Sequence, residues 1–183
     1  MRMDSDGNLQ SHTRAFTKQA LVEIYEELSP RIFRYAYRML GDPNLAEDCV
    51  SETFSRFLQA AKNGKGPLEN TQGYLFRVAH NLITDHYRRP PLTVPLEHEW
   101  IADDSQNPDG LVGQGLERER LRKALLELPD DQHKVIVLRV LEKMSHREVA
   151  EILGKTAEAT RALQHRALTA LRSVLVETEE PYG

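Results

Sequence analysis

Cysteine is almost missing from this chain: one in 183 residues, Cys49. No internal disulfide can form, which fits a reducing compartment and excludes a disulfide-stapled fold. Cys49 lies among Val50, Thr53 and Phe54, where a small buried hydrophobe is expected rather than a reactive thiol. Long apolar runs are absent too. None approaches the roughly 20 residues a membrane helix needs, and Met1 to Thr13 is polar, without the apolar centre of a signal peptide. A cytoplasmic protein without membrane insertion is expected. The signatures of catalysis are also wanting. The seven histidines and single cysteine show no metal-ligand spacing. There is no glycine loop to cradle phosphate and no nucleophile elbow. Neither enzyme activity, a cofactor nor a metal is expected.

Apolar residues make up 40% of the chain and charged residues 28%, a balance that supports a packed fold. The net charge of −4 argues at first against nucleic acid. Its distribution changes that reading. Glu97, Glu99, Asp103, Asp104 and Asp109 follow one another with no intervening Lys or Arg, whereas Lys155, Arg161, Arg166 and Arg172 face only Glu158 across the stretch 155–172. A net-acidic chain with local basic faces binds DNA weakly alone, and a partner is expected.

The pattern is helical throughout, with no convincing strand alternation, internal repeat or heptad register. Phe33, Ala36, Tyr37 and Leu40 follow helical spacing, and Gly41 with Pro43 stops that helix. Asn44, with Glu47 three residues on, is the expected cap of the next, whose apolar stripe runs from Ala46 through Cys49, Val50, Thr53, Phe54, Phe57 and Leu58 to Ala61. Lys62 to Glu69 reads as a loop. A further helix spans about Gln72 to Arg88, with Leu75, Val78, Ala79, Leu82 and His86 on one face, and Pro90-Pro91 ends it. An acidic, proline-bearing stretch follows, a flexible linker. Beyond it come helical segments at Leu116–Leu128 and Asp130 to about Leu141. Ser145-His146-Arg147-Glu148 forms a capping box, Gly154 turns the chain, Thr156 caps, and a last helix reaches about Val176. The fold class is all-α, with two small helical domains joined by a flexible acidic linker.

Met144 to Leu171 has the plan of a helix-turn-helix. Val149, Ala150 and Leu153 are expected to pack the short helix, and Leu163, Ala167 and Leu171 the long one. Thr156, Arg161, Ala162, His165 and Arg166 are left facing outward, suited to phosphates and guanine edges. The plainer reading is a helical hairpin with a solvated basic face.

The stretch LLELPDDQHKVIVLRVLEKMSHREVAEILGKTAEATRALQHRALTALRSVL resembles region 4 of the extracytoplasmic-function (ECF) sigma factors. In the first half, LSPRIFRYAYRMLGDPNLAEDCVSETFSRFLQ is similar to sigma regions 2.1–2.2, and TQGYLFRVAHNLITDHYRR to regions 2.3–2.4. The resemblance implies a region 2 domain over 18–92, a linker over 93–115 and a region 4 domain over 116–176. It implies a factor that binds core RNA polymerase and directs promoter recognition and DNA opening, with region 2 on the −10 element and region 4 on the −35 element. An anti-sigma factor is a typical further partner of the family.

Asp48 and Glu52, with Ser51 and Ser55, form a polar stripe that the resemblance assigns to core polymerase; by spacing alone it is a solvated acidic face. The family commonly has glutamine where Ser51 stands. Arg77, His80, Asn81, Thr84 and Arg88 share a face suited to a single-strand backbone and are implied to hold the −10 element. The family usually has arginine in place of His80, so this groove is expected to be less basic and more pH-sensitive. Thr156, Arg161, Ala162, His165 and Arg166 are implied to meet the −35 element, with Ala162 and Leu163 replacing a common serine and arginine. In the linker, Leu96, Trp100 and Ile101 have no periodic pattern, and Trp100 is expected to dock on the polymerase. The readings from other classes are a helix-turn-helix regulator acting without core polymerase, an enzyme, and a purely protein-binding module. Only the first accounts for the second half, and it leaves the acidic and basic stripes of the first half unexplained.

Overall fold

The computed structural model describes residues 16–64, 69–88 and 113–176, with side chains from 119 to 174 in the last stretch. Among the described residues every regular element is helical. They are α1 (Lys18–Leu40), α2 (Pro43–Lys62), α3 (Thr71–Arg88), α4 (Gly113–Glu127), α5 (Asp130–Ile136), α6 (His146–Leu153) and α7 (Ala157–Val176), with a π-helical turn at Val137–Leu141 after α5. Of the expected linker 93–115, residues up to 112, including Trp100, lie outside the described residues, and its last three belong to α4, which begins at Gly113 rather than Leu116.

Side-chain caps set most boundaries. The Thr17 hydroxyl accepts from Ala20 N–H at 3.1 Å and opens α1. Gly41 closes α1 at φ 70°, donating its N–H to Tyr37 O at 2.8 Å, a conformation that glycine adopts without a Cβ penalty. The next cap is Asp42, not Asn44: its carboxylate accepts from Asn44 N–H at 2.7 Å and Leu45 N–H at 3.0 Å. Pro43 therefore begins a helix as well as ending one, because the first helical position needs no N–H and suits the fixed proline φ. Pro30, by contrast, sits inside α1, which continues through it. Asn70 opens α3, its side-chain Oδ1 accepting from Gly73 N–H at 2.8 Å.

The capping box at α6 is complete: Ser145 Oγ accepts from Glu148 N–H at 3.2 Å, and Glu148 accepts from Ser145 N–H at 2.7 Å. Ser145→Ala removes one of these bonds and is expected to cost about 1 kcal/mol of stability. The exposed Ser55→Ala should stay within about 0.5 kcal/mol of the parent. Urea denaturation of the two variants measures the contrast.

In the first half α1, α2 and α3 pack around Ile32, Tyr35, Phe57, Leu75, Phe76 and Ile83, all fully buried. Most rings meet edge-on or tilted, as at Phe16–Phe57 (5.2 Å) and Tyr25–Phe54 (4.8 Å), while Phe33 and Tyr37 stack at 6.0 Å, both arrangements their quadrupoles allow. The face of α3 differs from the periodic expectation. Leu75 and Ala79 are buried, but Phe76 and Ile83 join them while His86 is exposed.

In the second half Ala124, Leu125, Leu128, Ile136, Ala167 and Leu171 form a cluster between α4, α5 and α7. Val135, Val137, Leu138, Met144, Val149 and Ile152 belong instead to the buried cluster of the first half. One apolar cluster thus draws on both halves, with α6 packed on α3, while the α4–α5–α7 cluster stands apart from it. Each fully buried aliphatic side chain contributes about 1.5–3 kcal/mol relative to exposure.

Candidate nucleic-acid and polymerase interfaces

On α2 the buried stripe Ala46, Cys49, Val50, Thr53, Phe54 and Phe57 faces the core. The opposite side presents Asp48, Ser51, Glu52 and Ser55, all exposed. Sequence reading missed Arg56, whose Nε donates to Glu52 Oε1 at 2.7 Å. It missed as well that Asp48, Glu52 and Arg56 border a groove shared with Asp85 and His86 of α3. Helical spacing from Glu52 is the signal that finds Arg56; no local signal finds the α3 residues. Cys49 is buried with its thiol pushed up to about 11 by desolvation, an unreactive thiol.

On α3, Arg77, His80, Asn81, Thr84 and Arg88 lie along one stripe, and the structure divides them. Asn81 and Arg88 are exposed, the latter 3.8 Å from Asp85. Arg77 Nη2 lies 3.8 Å from Glu151 Oε2 of α6, an exposed contact in which Glu151 also meets Arg147 at 3.3 Å. His80 turns inward, its Nδ1 3.0 Å from the Tyr35 hydroxyl and its Nε2 3.5 Å from Thr84 Oγ1. Burial lowers its pKa to about 4, helped by Lys134 and Lys155 and opposed by Asp130 and Asp131. His80 is therefore neutral at physiological pH and supplies no cation to this face. Its pH sensitivity lies in the acid range.

Burial also lowers His133 and His146. A histidine that stays neutral when folded but takes a proton when unfolded destabilises the fold as pH falls from its ordinary value of 6.5 toward about 4. Denaturation at pH about 7.5 and about 5.5 should show a smaller stability loss for His80→Gln than for the parent. Equal losses would mean that His80 is not the group responsible.

On α7, Thr156 stands at the N-terminus with its hydroxyl accepting from Ala159 N–H at 3.1 Å. Gly154, in the left-handed region at φ 63°, forms the turn from α6. Arg161, Ala162, His165 and Arg166 are all exposed, as is Thr156. Ala167 and Leu171 hold the opposite side of the helix in the core, and Leu163 packs partly against it. Thr160 is buried where α7 crosses α6, its hydroxyl 3.3 Å from His146 Nδ1, a residue that sequence reading passed over.

Two family models match the chain. Sigma-70 region 2 covers residues 24–90 and Sigma-70 region 4 covers residues 124–173. The chain belongs to the ECF RNA polymerase sigma factors. Curated relatives carry that description across nearly its whole length. The ECF sigma factor BldN of Streptomyces coelicolor is 28% identical over 94% of this chain and 68% of its own. The ECF sigma factor SigW of Bacillus subtilis is 29% identical over 85% and 87%. Among solved structures, the sigma factor RpoE of Bartonella quintana, bound there to the anti-sigma factor NepR, has a TM-score of 0.70 at 18% identity, covering 90% of this chain and 100% of that one. CnrH, in complex with the cytosolic domain of CnrY, has a TM-score of 0.64 at 21% identity, covering 92% and 94%. The ECF sigma factor described here binds core RNA polymerase and directs it to promoter DNA. No described helix is long and apolar enough to cross a membrane.

Proposed function

We propose that this sigma factor divides its work among three helix faces. The acidic stripe of α2 (Asp48, Ser51, Glu52, Ser55) docks on core polymerase. The α3 stripe (Arg77, His80, Asn81, Thr84, Arg88) lines the path of the −10 strand, with His80 as a neutral hydrogen-bonding group. The α7 residues (Thr156, Arg161, Ala162, His165, Arg166) meet the −35 element. The single observation that supports this most is the joint exposure of all five α7 residues beyond a glycine turn, while the other side of that helix is in the core. The domains that carry these faces are 18–92 and 116–176.

The chain acts in the cytoplasm, without catalysis of its own. An anti-sigma factor is its regulatory partner, as RpoE of Bartonella quintana has NepR. Run-off transcription with purified core polymerase on genomic fragments tests the reading. Promoter-specific transcripts are expected only when core and this chain are both present. Tight duplex binding by the chain alone, unchanged by core in a gel shift, would instead make it a free helix-turn-helix regulator.

A further inference from the structure

Glu142 follows the π turn, and only 2% of its side chain is exposed. Its partners lie on the other half of the molecule. Arg31 Nε donates to Glu142 Oε2 at 3.1 Å, Arg31 Nη2 to the Glu142 backbone oxygen at 2.9 Å, and Arg38 Nη1 to Oε1 at 3.4 Å. Arg31 and Arg38 stand two helical turns apart on one face of α1. Arg31 is held from two more sides: Nη1 donates to Gln72 Oε1 at 3.0 Å, and its guanidinium lies 5.6 Å from the centre of the Phe76 ring.

The π turn sets the aim of Glu142. Its N–H bonds Val137 O, five residues back, at 3.0 Å, and Lys143 then turns the chain at φ 56°. The extra residue of a π turn rotates the following side chain by about 100° relative to a continuous α-helix. Such turns gather at functional positions.

We infer that Glu142 with Arg31 and Arg38 is an autoinhibitory latch, which holds the two halves closed with α6 laid on the −10 face of α3. In this closed state Arg77 lies against Glu151 of α6, while the α7 face stays open. The chemistry suits a contact that must be specific and also reversible. A buried ion pair adds little net stability over apolar side chains of the same size, because desolvation offsets the attraction, yet losing one partner leaves a buried charge uncompensated. Opening returns all three groups to water. The covering of a strand-binding face rests on the assignment of α3 made above; the latch does not.

The test uses the full chain with donor and acceptor dyes on Gln59→Cys and Ser173→Cys, both exposed positions; buried Cys49 does not compete. Energy transfer should fall in Glu142→Gln and equally in Arg31→Gln with Arg38→Gln, with far-UV circular dichroism unchanged. It should return to the parental value in the charge-swapped chain Glu142→Arg, Arg31→Glu, Arg38→Glu. A labelled single-stranded DNA of random sequence should bind the arginine variant at least severalfold tighter than the parent, as expected when the binding-competent fraction rises. That variant has lost two positive charges, so simple charge attraction predicts the opposite. Where Glu142→Gln fails to fold, the α1 variants carry the test from the other half. Parental energy transfer in the arginine variant overturns the latch. Lower transfer with no gain in DNA binding overturns the covering of a strand-binding face and leaves the latch standing.

Discussion

Reversing Asp48 and Glu52 together to lysine is expected to weaken binding to core polymerase by at least about thirtyfold, with the helices intact. The magnitudes separate an interface effect from a folding effect. Within the free chain the loss is small. The exposed Glu52–Arg56 pair at 2.7 Å contributes about 0.3–0.5 kcal/mol, and the lysine that replaces Glu52 repels Arg56 by a similar amount. Asp48 lies beyond the first turn of α2, where the helix dipole has largely faded. The total stays below about 1 kcal/mol. Across an interface, removing one partner of a desolvated charge pair costs about 2–5 kcal/mol, and about 2 kcal/mol is roughly thirtyfold in affinity. Reversal adds repulsion to that loss. A pull-down titration with purified core, alongside circular dichroism, makes the measurement. An affinity equal to the parent's would remove this face of α2 from the interface.

Arg166→Ala is expected to collapse discrimination at one base pair of the −35 element, by about 1–3 kcal/mol or roughly five- to 150-fold. Arg161→Ala should instead lower affinity across all sequences and flatten the salt slope by about one unit. Both side chains are exposed on α7, but they are held differently. Arg161 Nη1 lies 3.5 Å from Glu158 Oε1 at the N-terminal end of the helix, where the phosphate backbone is expected. Arg166 Nε rests on the neutral Ala162 carbonyl at 3.3 Å and keeps the rest of its fork for a guanine edge. Between them Ala162 is small enough to let α7 sit deep in the major groove. Transcription across a panel of −35 variants at several salt concentrations separates the roles. If neither substitution changes the ranking of the variants, both arginines are backbone contacts and specificity comes from DNA shape.

Local chemistry made much of this legible. Ser145 with Glu148, Gly154 and Thr156 each act within a few residues of their own backbone, so the helix-turn-helix could be read before any packing was known. The same logic misassigned the start of α2. Asp42 and Asn44 are both good caps, and Pro43 is compatible with a helix end and a helix start alike. The α3 face was read only in part. A period of 3.6 names a stripe, but it does not say which neighbour covers it, so Phe76 and Ile83 were passed over and His86 was included.

The sequence by itself determined the all-α class, the two helical units and the outward face of α7, because caps, periodicity and turn residues are short-range properties. Tertiary structure alone decided that His80 turns inward to Tyr35, that Arg77 lies near Glu151 of α6, and that Glu142 is buried between two arginines. Arg38 and Arg31 stand 104 and 111 residues from Glu142. At that separation no local pattern carries information, and a carboxylate that reads as one more surface charge becomes buried only when α1 and the π turn close on it.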